Sequence, residues 1–317
     1  MQPDPHREDD STVVGWNGVR LALPHGWDPS GIFPSFLVFA QEGRPVLTLR
    51  WETMGTGRIR PGIARIRRSF PGELRHTLRD APLPDPWRQA LEGHFAEEDL
   101  DDARAFAWGG PAEGGEGLLI GSRGTRRLFL IHFHRIGGAA HAGRIPRILS
   151  SFQDGAVGGR ILWAVYDIRA ELPEALRLAR HRFMPGAFEL VFRSGAATVR
   201  LFRWGPASVL LRSGTLAAFS AARLALPPDR VETDERGGAD TVRWVDRRPS
   251  SRWLSRSLRG LLGRPDRQGR AWHLPRENKI LAVEIEARAL PPEEVLDGLC
   301  RSFACLPSGD YEPSPAS

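Results

Sequence analysis

Hydrophobic and polar positions alternate along one stretch of the chain and then change to a helical spacing. Residues Leu128 to His134 carry apolar side chains at every second position, which is typical of a strand with one buried face. Apolar residues at i, i+3, i+4 and i+7 follow and predict a buried helix over residues 145 to 152. This helical stripe consists of Ile145, Ile148, Leu149 and Phe152.

Both patterns return about 150 residues later, in the same order along the chain. The recurring apolar positions are Leu281, Val283 and Ile285 in the strand, and Leu296, Leu299, Cys300 and Phe303 in the helix. Two shorter segments recur as well: Val19-Arg20-x-x-Leu23-Pro24 as Ile168-Arg169-x-x-Leu172-Pro173, and Leu49-Arg50-Trp51 as Phe202-Arg203-Trp204. The sequence therefore predicts two tandem repeats, residues 12 to 154 and 160 to 306. The polar ends, 1 to 10 and 307 to 317, are predicted to be flexible tails.

Each repeat is predicted to combine strands with helices. Strands over residues 36 to 40 and 45 to 52 flank a turn signal, which indicates an antiparallel hairpin. An apolar stripe from Ile59 to Phe70 then predicts a helix, and the second repeat has a less regular one over 216 to 226. With late strands and a closing helix, the expected fold class is α+β, two tandem repeats of an antiparallel sheet with packed helices.

A known family shares this arrangement. The strand ending Leu23-Pro24, the following Gly26-Trp27 and the closing helix ending Ser151-Phe152 resemble the PsbP-like fold family, which includes DcrB-type bacterial proteins. The resemblance covers each half of the chain and implies a tandem of two PsbP-like domains. It also implies binding or assembly work in place of a reaction, because the family has no shared catalytic residues that could be transferred to this chain.

Composition adds constraints on compartment and partners. Lys279 is the only lysine, so the basic balance of 44 Lys plus Arg against 38 Asp plus Glu depends on arginine. Two cysteines, Cys300 and Cys305, are too few for a disulfide framework or a four-ligand zinc site, and a reducing compartment follows. No leader-like or membrane-spanning apolar stretch is visible, so we expect a cytoplasmic protein without a transmembrane segment.

The second repeat carries an arginine-rich insertion at about residues 247 to 275. The stretch from Trp244 to Ile280 is about sixteen residues longer than its counterpart in the first repeat. A helix from Ser250 or Ser251 to Leu262 is predicted, with leucines on one side and arginines on the other. The predicted partner-binding residues are Arg248, Arg252, Trp253, Arg256 and Arg259. We expect an acidic protein partner, and we rank nucleic acid or an anionic membrane surface below it.

Candidate chemistry elsewhere is weaker. His132 and His134 alternate on a strand and could share a metal, but Glu284 and Glu286 stand at the aligned places, so a polar, solvated face is expected. We expect no metal and no cofactor, since no nucleophile elbow, Walker loop or dinucleotide fingerprint occurs. The acidic run from Glu92 to Asp102 is expected to be a solvated connector. Cys300 is expected in the core, as are Trp51 and Trp204 at equivalent strand ends.

These features together predict a non-catalytic binding, adaptor or assembly protein that docks an acidic macromolecular partner through the insertion. The alternative is a small-molecule or metal-dependent enzyme with its site between the two repeats. An enzyme is the less favoured class, and no catalytic residue can be named.

Overall fold

A computed structural model describes residues 11–55, 77–109, 114–134, 143–195, 197–234, 240–247 and 265–306. The described residues are 54% strand and 20% helix, and the strands pair antiparallel. The fold is therefore mostly β, and the predicted α+β class with packed helices is wrong. The α-helices are only four to ten residues long. The apolar stripes that predicted them therefore belong to short helices, each of which covers a small part of a large sheet.

The chain divides into two compact units, Met1–Tyr166 and Asp167–Ser317. The repeat boundaries 12 to 154 and 160 to 306 stay a prediction. The predicted tails, 1 to 10 and 307 to 317, lie outside the described residues, as does the predicted helix from Ile59 to Phe70.

The first unit contains eleven described strands and three described helices. The strands are β1 Ser11–Trp16, β2 Val19–Pro24, β3 Asp28–Phe33, β4 Phe36–Gln41, β5 Arg44–Thr53, β6 Arg79–Ala81, β7 Arg104–Gly109, β8 Gly114–Ser122, β9 Arg127–His134, β10 Gln153–Asp154 and β11 Arg160–Val165. The helices are α1 Asp85–Leu91, α2 Glu97–Asp102 and α3 Ile145–Ser150.

A seven-stranded sheet of order β3-β4-β5-β9-β8-β7-β6 forms the larger part of this unit. Alternation along β9 sends Phe129, Ile131 and Phe133 to one face, where the helices pack. Phe129 meets Phe152, just beyond α3, edge to face at 5.1 Å, and Phe133 meets Trp87 of α1 at 6.0 Å. The remaining strands β10, β2, β1 and β11 pair in that order. Gly15 of β1 leaves room for the side chain of Leu162 on β11, which would lie only 2.6 Å from a Cβ added at position 15.

The acidic run, expected to be a solvated connector, instead includes helix α2. Asp99 is buried and forms an ion pair with the Arg123 guanidinium, which also reaches Asp102 at 2.6 Å. Asp99 and Asp102, three residues apart on the helix, therefore hold α2 onto the sheet, while Asp101 binds Arg88 at the surface. The sequence shows the acidic residues, but it does not show that they pair with Arg123, which lies more than twenty positions further along the chain.

The second unit contains nine described strands, three described α-helices and one short 3-10 helix, Pro228–Arg230. The strands are β12 Ile168–Pro173, β13 Arg177–Met184, β14 Ala187–Ser194, β15 Ala197–Trp204, β16 Val231–Thr233, β17 Thr241–Asp246, β18 Asp266–Leu274, β19 Lys279–Ala287 and β20 Ala304–Cys305. The helices are α4 Ala207–Leu210, α5 Leu216–Leu224 and α6 Glu293–Ser302.

Seven of these strands form a sheet of order β13-β14-β15-β19-β18-β17-β16, which is the strand order of the first unit's large sheet. Helix α5 covers part of one face, where Trp204 meets Phe219 edge to face at 5.5 Å. Helix α6 lies by the other face, and Phe303, the residue after it, meets Trp272 at 6.1 Å. The two faces of this sheet are called here the α5 face and the α6 face.

Trp51 and Trp204, expected at equivalent places, occupy different faces of their sheets. Trp204 lies opposite Ile280, whereas the residue opposite Leu128, the sequence counterpart of Ile280, is Glu52 and not Trp51. The two tryptophans are thus offset by one residue, and a one-residue offset on a strand turns a side chain to the opposite face. Both rings are nevertheless buried, as core positions should be.

In the part of the chain that the structure describes, every helix is too short or too polar to cross a membrane.

Candidate functional site

The α5 face of the second unit's sheet carries a row of charged residues at one end of its strands. Across neighbouring strands the register runs Asp246, Arg267, Glu286, Thr198, Arg193 and Arg177. Residues directly opposite one another point to the same face, so these side chains form a row across the α5 face at one end of its strands. The last part of the predicted insertion, about 247 to 275, is strand β18 of the sheet itself, since this strand runs from Asp266 to Leu274. The segment before it departs from the sheet at this same end, where β17 stops at Asp246.

A buried ion-pair network joins this row to the next row of side chains on the same face. Glu284 is 1% exposed and receives Arg200 at 3.1 Å and Arg267 at 2.5 Å. Arg200 also binds Glu286 at 2.5 Å, and Arg267 donates to the Leu224 carbonyl at the end of α5. Burial lowers the pKa of Arg200, but the hydrogen bonds and the charge attraction of Glu286 and Glu284 together outweigh burial and raise this pKa above its usual value. The network therefore attaches α5 to the sheet and neutralises the buried carboxylate.

Toward the edge of the same sheet, arginines lie in the open. We use the name arginine edge for Arg177 and Arg182 of β13 together with Arg193 of β14, all of which are exposed. In the described part of the chain none of the three forms an ion pair, whereas their neighbour Arg180 binds Glu189 through two contacts of 2.9 Å. Arg177 and Arg193 are also register partners, which places two like charges directly opposite each other.

A bulge at Ala179 creates this grouping. The register passes from Leu178 to Arg180 without pairing Ala179, so one residue is added on β13. Arg177, Arg180 and Arg182 consequently share the α5 face although they are three and two residues apart. Sequence alternation alone would place Arg177 and Arg180 on opposite faces, so the arginine edge could not be predicted from the sequence.

The predicted partner-binding residues lie outside the described part of the chain. Arg248, Arg252, Trp253, Arg256 and Arg259 all belong to residues 248 to 264, so the structure does not test the insertion helix. The described flanks of the insertion are the ends of β17 and β18, which lie in the charged row.

The histidine pair of the first unit lies in an aromatic environment and not on a solvated face. His132 is 8% exposed and meets Phe106 at 5.4 Å and Trp108 at 5.2 Å between ring centroids. Burial, with smaller contributions from His134 and Arg50, lowers the pKa of His132 to about 3. Burial also lowers the pKa of His134, whose Nε2 lies 3.0 Å from the Thr48 hydroxyl. Both imidazoles are therefore neutral at pH 7.

The same register position in the second unit holds a different group. His132 faces Thr48 and Gly117, and Glu284 faces Arg200 and Gly269. In each unit the glycine leaves space for an aromatic ring, because an added Cβ would lie 2.2 Å from Phe106 at Gly117 and 2.3 Å from Trp244 at Gly269. The expectation of a solvated face is therefore wrong in both units, since each polar group is enclosed beside a large ring.

Among the described residues, no three His, Cys, Asp or Glu side chains converge as metal ligands would. The two cysteines carry thiols of low reactivity. Burial raises the pKa of Cys300 to about 12, even though Arg270 beside it acts in the opposite direction. Burial likewise raises the pKa of Cys305 to about 12. Both thiols stay protonated at neutral pH, and a protonated thiol is a poor nucleophile.

The buried histidine makes stability depend on pH. Its pKa of about 3 lies below the usual 6.5, so between these values the unfolded chain takes up a proton that the folded state excludes. The free energy of unfolding should therefore fall as the pH is lowered through this window, by about 3 kcal/mol at pH 4 from this group. Urea unfolding at pH 7 and pH 4 measures the loss of stability between these two values. In His132→Gln this loss should be smaller by about 3 kcal/mol than in the wild type. An equal loss in both proteins would contradict the assignment.

A scan against protein-family models matches no family to this chain, and a search of curated proteins likewise returns no match.

Proposed function

We propose that this protein is a non-catalytic binding protein that docks an acidic macromolecular partner, an acidic protein, through arginine-rich surfaces. The observation that carries the proposal is the arginine edge, where three exposed guanidinium groups lie beside an ion-paired neighbour of the same type. An arginine offers several fixed donors that suit carboxylates, and its charge persists at all physiological pH values.

The position of the insertion supports the same surface. Five strand spacings separate β17 from β13, so the root of the insertion and Arg177 lie about 24 Å apart along the charged row. An insertion rich in arginine, leaving the sheet at that row, would extend the cationic area in one direction. An acidic protein could then contact both regions at once, which raises its affinity without a deep cavity.

The buried charges support binding over catalysis. Glu284, Asp99 and Asp154 are each held by arginine side chains inside the fold. Cys300 and Cys305 are protonated thiols, and His132 is a neutral, enclosed ring. These groups serve packing and neutralisation, whereas the exposed cations are available for a partner. The enzyme alternative, the PsbP-like resemblance and the cytoplasmic location stay predictions.

Charge reversal in the insertion tests the proposal. We expect the full chain to bind immobilised poly-L-glutamate at about 0.05 M NaCl and to lose it as salt rises, because the contacts are electrostatic. Arg252→Glu, Arg256→Glu and Arg259→Glu combined should weaken binding roughly tenfold or more. The matched control carries Arg44→Glu, Arg79→Glu and Arg276→Glu, three exposed positions that belong neither to the arginine edge nor to the insertion helix.

The two triple variants have the same net charge, so a general charge effect would weaken both equally. Equal binding by the insertion variant and the wild type, at every salt concentration, would contradict docking through the insertion. Circular dichroism of each variant checks that the fold is retained.

A further inference from the structure

Four side chains of β13 point to the α5 face and are called here the β13 strip: Arg177, Arg180, Arg182 and Met184. The carboxylate nearest to the strip is already bound, because Glu189, opposite Arg182 in the register, is held by Arg180 through two contacts of 2.9 Å. Arg177 lies opposite Arg193, so a like charge stands where an acidic residue would stabilise the pair. The strip therefore has an excess of positive charge that the described residues do not neutralise.

Exposed apolar side chains continue the strip beyond the arginines. Met184 is the last residue of β13 on the α5 face and is 45% exposed. The turn that follows it lies against the segment before α4, because the Gly205 amide donates to the Gly186 carbonyl at 3.0 Å. Ala207 of α4 packs in the core cluster of the α5 face, and Val209, two residues further along, is 57% exposed. Two apolar side chains are therefore accessible at this end of the face.

The spacing of the strip is regular. Its four residues lie opposite residues 193, 191, 189 and 187 of β14, so each step covers two residues of the neighbouring strand. Two strand residues span about 6.6 Å, and the whole strip spans about 20 Å. Every fourth residue of an α-helix advances about 6.0 Å along the helix axis. The strip therefore matches one stripe of a helix that lies along β13.

We propose that the β13 strip binds an amphipathic acidic helix of a partner protein. Acidic side chains one turn apart would face the arginines, and an apolar side chain one turn later would contact Met184 and Val209. These contacts are made by side chains on the face of the sheet and require no main-chain pairing at its edge. The inference rests on the proposed function for the acidic class of the partner, and it adds the surface, the helical form and the apolar contact.

Charge and pattern select this occupant over two others. A second copy of the chain would bring its own arginines against the strip, and like charges in contact are destabilising. An anionic membrane surface is bound more strongly as the buried apolar area grows, whereas the strip has exposed apolar side chains at one end only. A helix with carboxylates followed by an apolar residue reproduces the order of the strip and relieves the repulsion between Arg177 and Arg193.

The probe is a capped, fluorescein-labelled, alanine-based peptide of about sixteen residues, long enough as a helix to cover the strip. It carries Glu at three positions spaced four apart and Leu four positions after the last Glu. Binding to the full chain is followed by fluorescence anisotropy, and we expect saturation and a weakening with salt. A peptide of the same composition with its Leu moved two positions, to the opposite side of the helix, should bind roughly fivefold more weakly.

The charge variant carries Arg177→Glu, Arg182→Glu and Arg193→Glu, and it should bind the first peptide roughly tenfold or more weakly. Its matched control has the same net charge and should bind like the wild type. The control changes three exposed positions of the first unit: Arg44→Glu, Arg79→Glu and Arg144→Glu. If circular dichroism shows that the charge variant does not fold, the triple Gln variant at the same positions replaces it. A folded variant that binds the peptide like the wild type would overturn the inference.

The apolar variant carries Met184→Ser and Val209→Ser. It should bind the first peptide roughly fivefold more weakly, because the Leu contact is lost, and it should bind poly-L-glutamate like the wild type. The matched control, Val157→Ser with Val295→Ser, removes two other exposed apolar side chains and should bind both probes normally. Peptide binding of wild-type strength by the apolar variant would contradict docking of a helix along the strip.

The remaining outcomes separate this inference from the proposed function. Normal peptide binding by the charge and apolar variants, with loss of poly-L-glutamate binding in the insertion variant, would overturn the inference and leave docking through the insertion intact. Peptide binding that the charge and apolar variants both weaken, in a chain whose insertion variant binds poly-L-glutamate normally, would support the strip and contradict docking through the insertion. Tighter binding of phosphatidylcholine–phosphatidylserine vesicles, or of a single-stranded oligonucleotide of equal charge, than of the peptide would overturn the choice of a protein helix.

Discussion

Replacement of Phe152 by Ala is expected to lower the free energy of unfolding by about 3–5 kcal/mol, the range for a large aromatic side chain removed from a packed core. Phe152 is 1% exposed, stacks on Phe95 at 5.8 Å and meets Phe129 edge to face. It lies two residues after the end of α3, so its ring joins the helix end to the strands. Urea unfolding measured by tryptophan fluorescence gives the change.

An exposed phenylalanine provides the matched control for that substitution. Phe33 is 52% exposed and stacks on Phe36 at 5.4 Å at the sheet edge. Its replacement by Ala should cost about 0.5 kcal/mol, as for most surface positions. Equal losses at Phe33 and Phe152 would mean that the ring of Phe152 is not part of the cooperative core.

Removal of one buried charge should have an effect of similar size. Glu284→Gln keeps the side-chain volume but leaves Arg200 and Arg267 without their shared carboxylate. Breaking a buried ion pair by removing one partner costs about 3–5 kcal/mol, because an uncompensated charge stays inside the protein. We expect a loss in this range at pH 7, and hydrogen exchange should show that α5 opens more readily, since Arg267 also holds the Leu224 carbonyl.

The surface pair Arg180–Glu189 is the control for this prediction. Arg180 is largely exposed, and exposed ion pairs contribute about 0–1 kcal/mol. Glu189→Gln should therefore change stability only slightly, although it adds an uncompensated cation to the edge. A loss at Glu284→Gln as small as at Glu189→Gln would indicate that the interior network is solvated.

Local patterns in the sequence predicted several elements well. The strands expected at 36 to 40 and 45 to 52 are β4 and β5, and the helix expected over 145 to 152 is α3, two residues shorter. In these segments hydrophobic spacing and turn residues agree with the tertiary structure. The predicted fold class was wrong because it gave helices the same weight as strands. An apolar stripe indicates a helix but does not show how short that helix is.

The features that the sequence could not reveal depend on register. A bulge at Ala179 brings Arg177 and Arg180 to one face, and an offset of one residue separates Trp51 from Trp204. Neither event leaves a signal in the spacing of apolar residues, because both change which residues lie opposite each other on different strands. The burial of His132 likewise depends on Phe106 and Trp108, which come from a strand further along the sheet.

The unequal protection of the two sheet edges affects how the protein would behave in solution. With Pro29 interrupting β3, and β6 and β16 only three residues long, β13 is the one long proline-free edge of the two large sheets in the described chain. Edge-to-edge growth of a fibre requires two long edges per molecule, and the other described edges of these two sheets are short or contain a proline. The described edges of the two large sheets therefore oppose open-ended stacking of copies of the chain through these sheets.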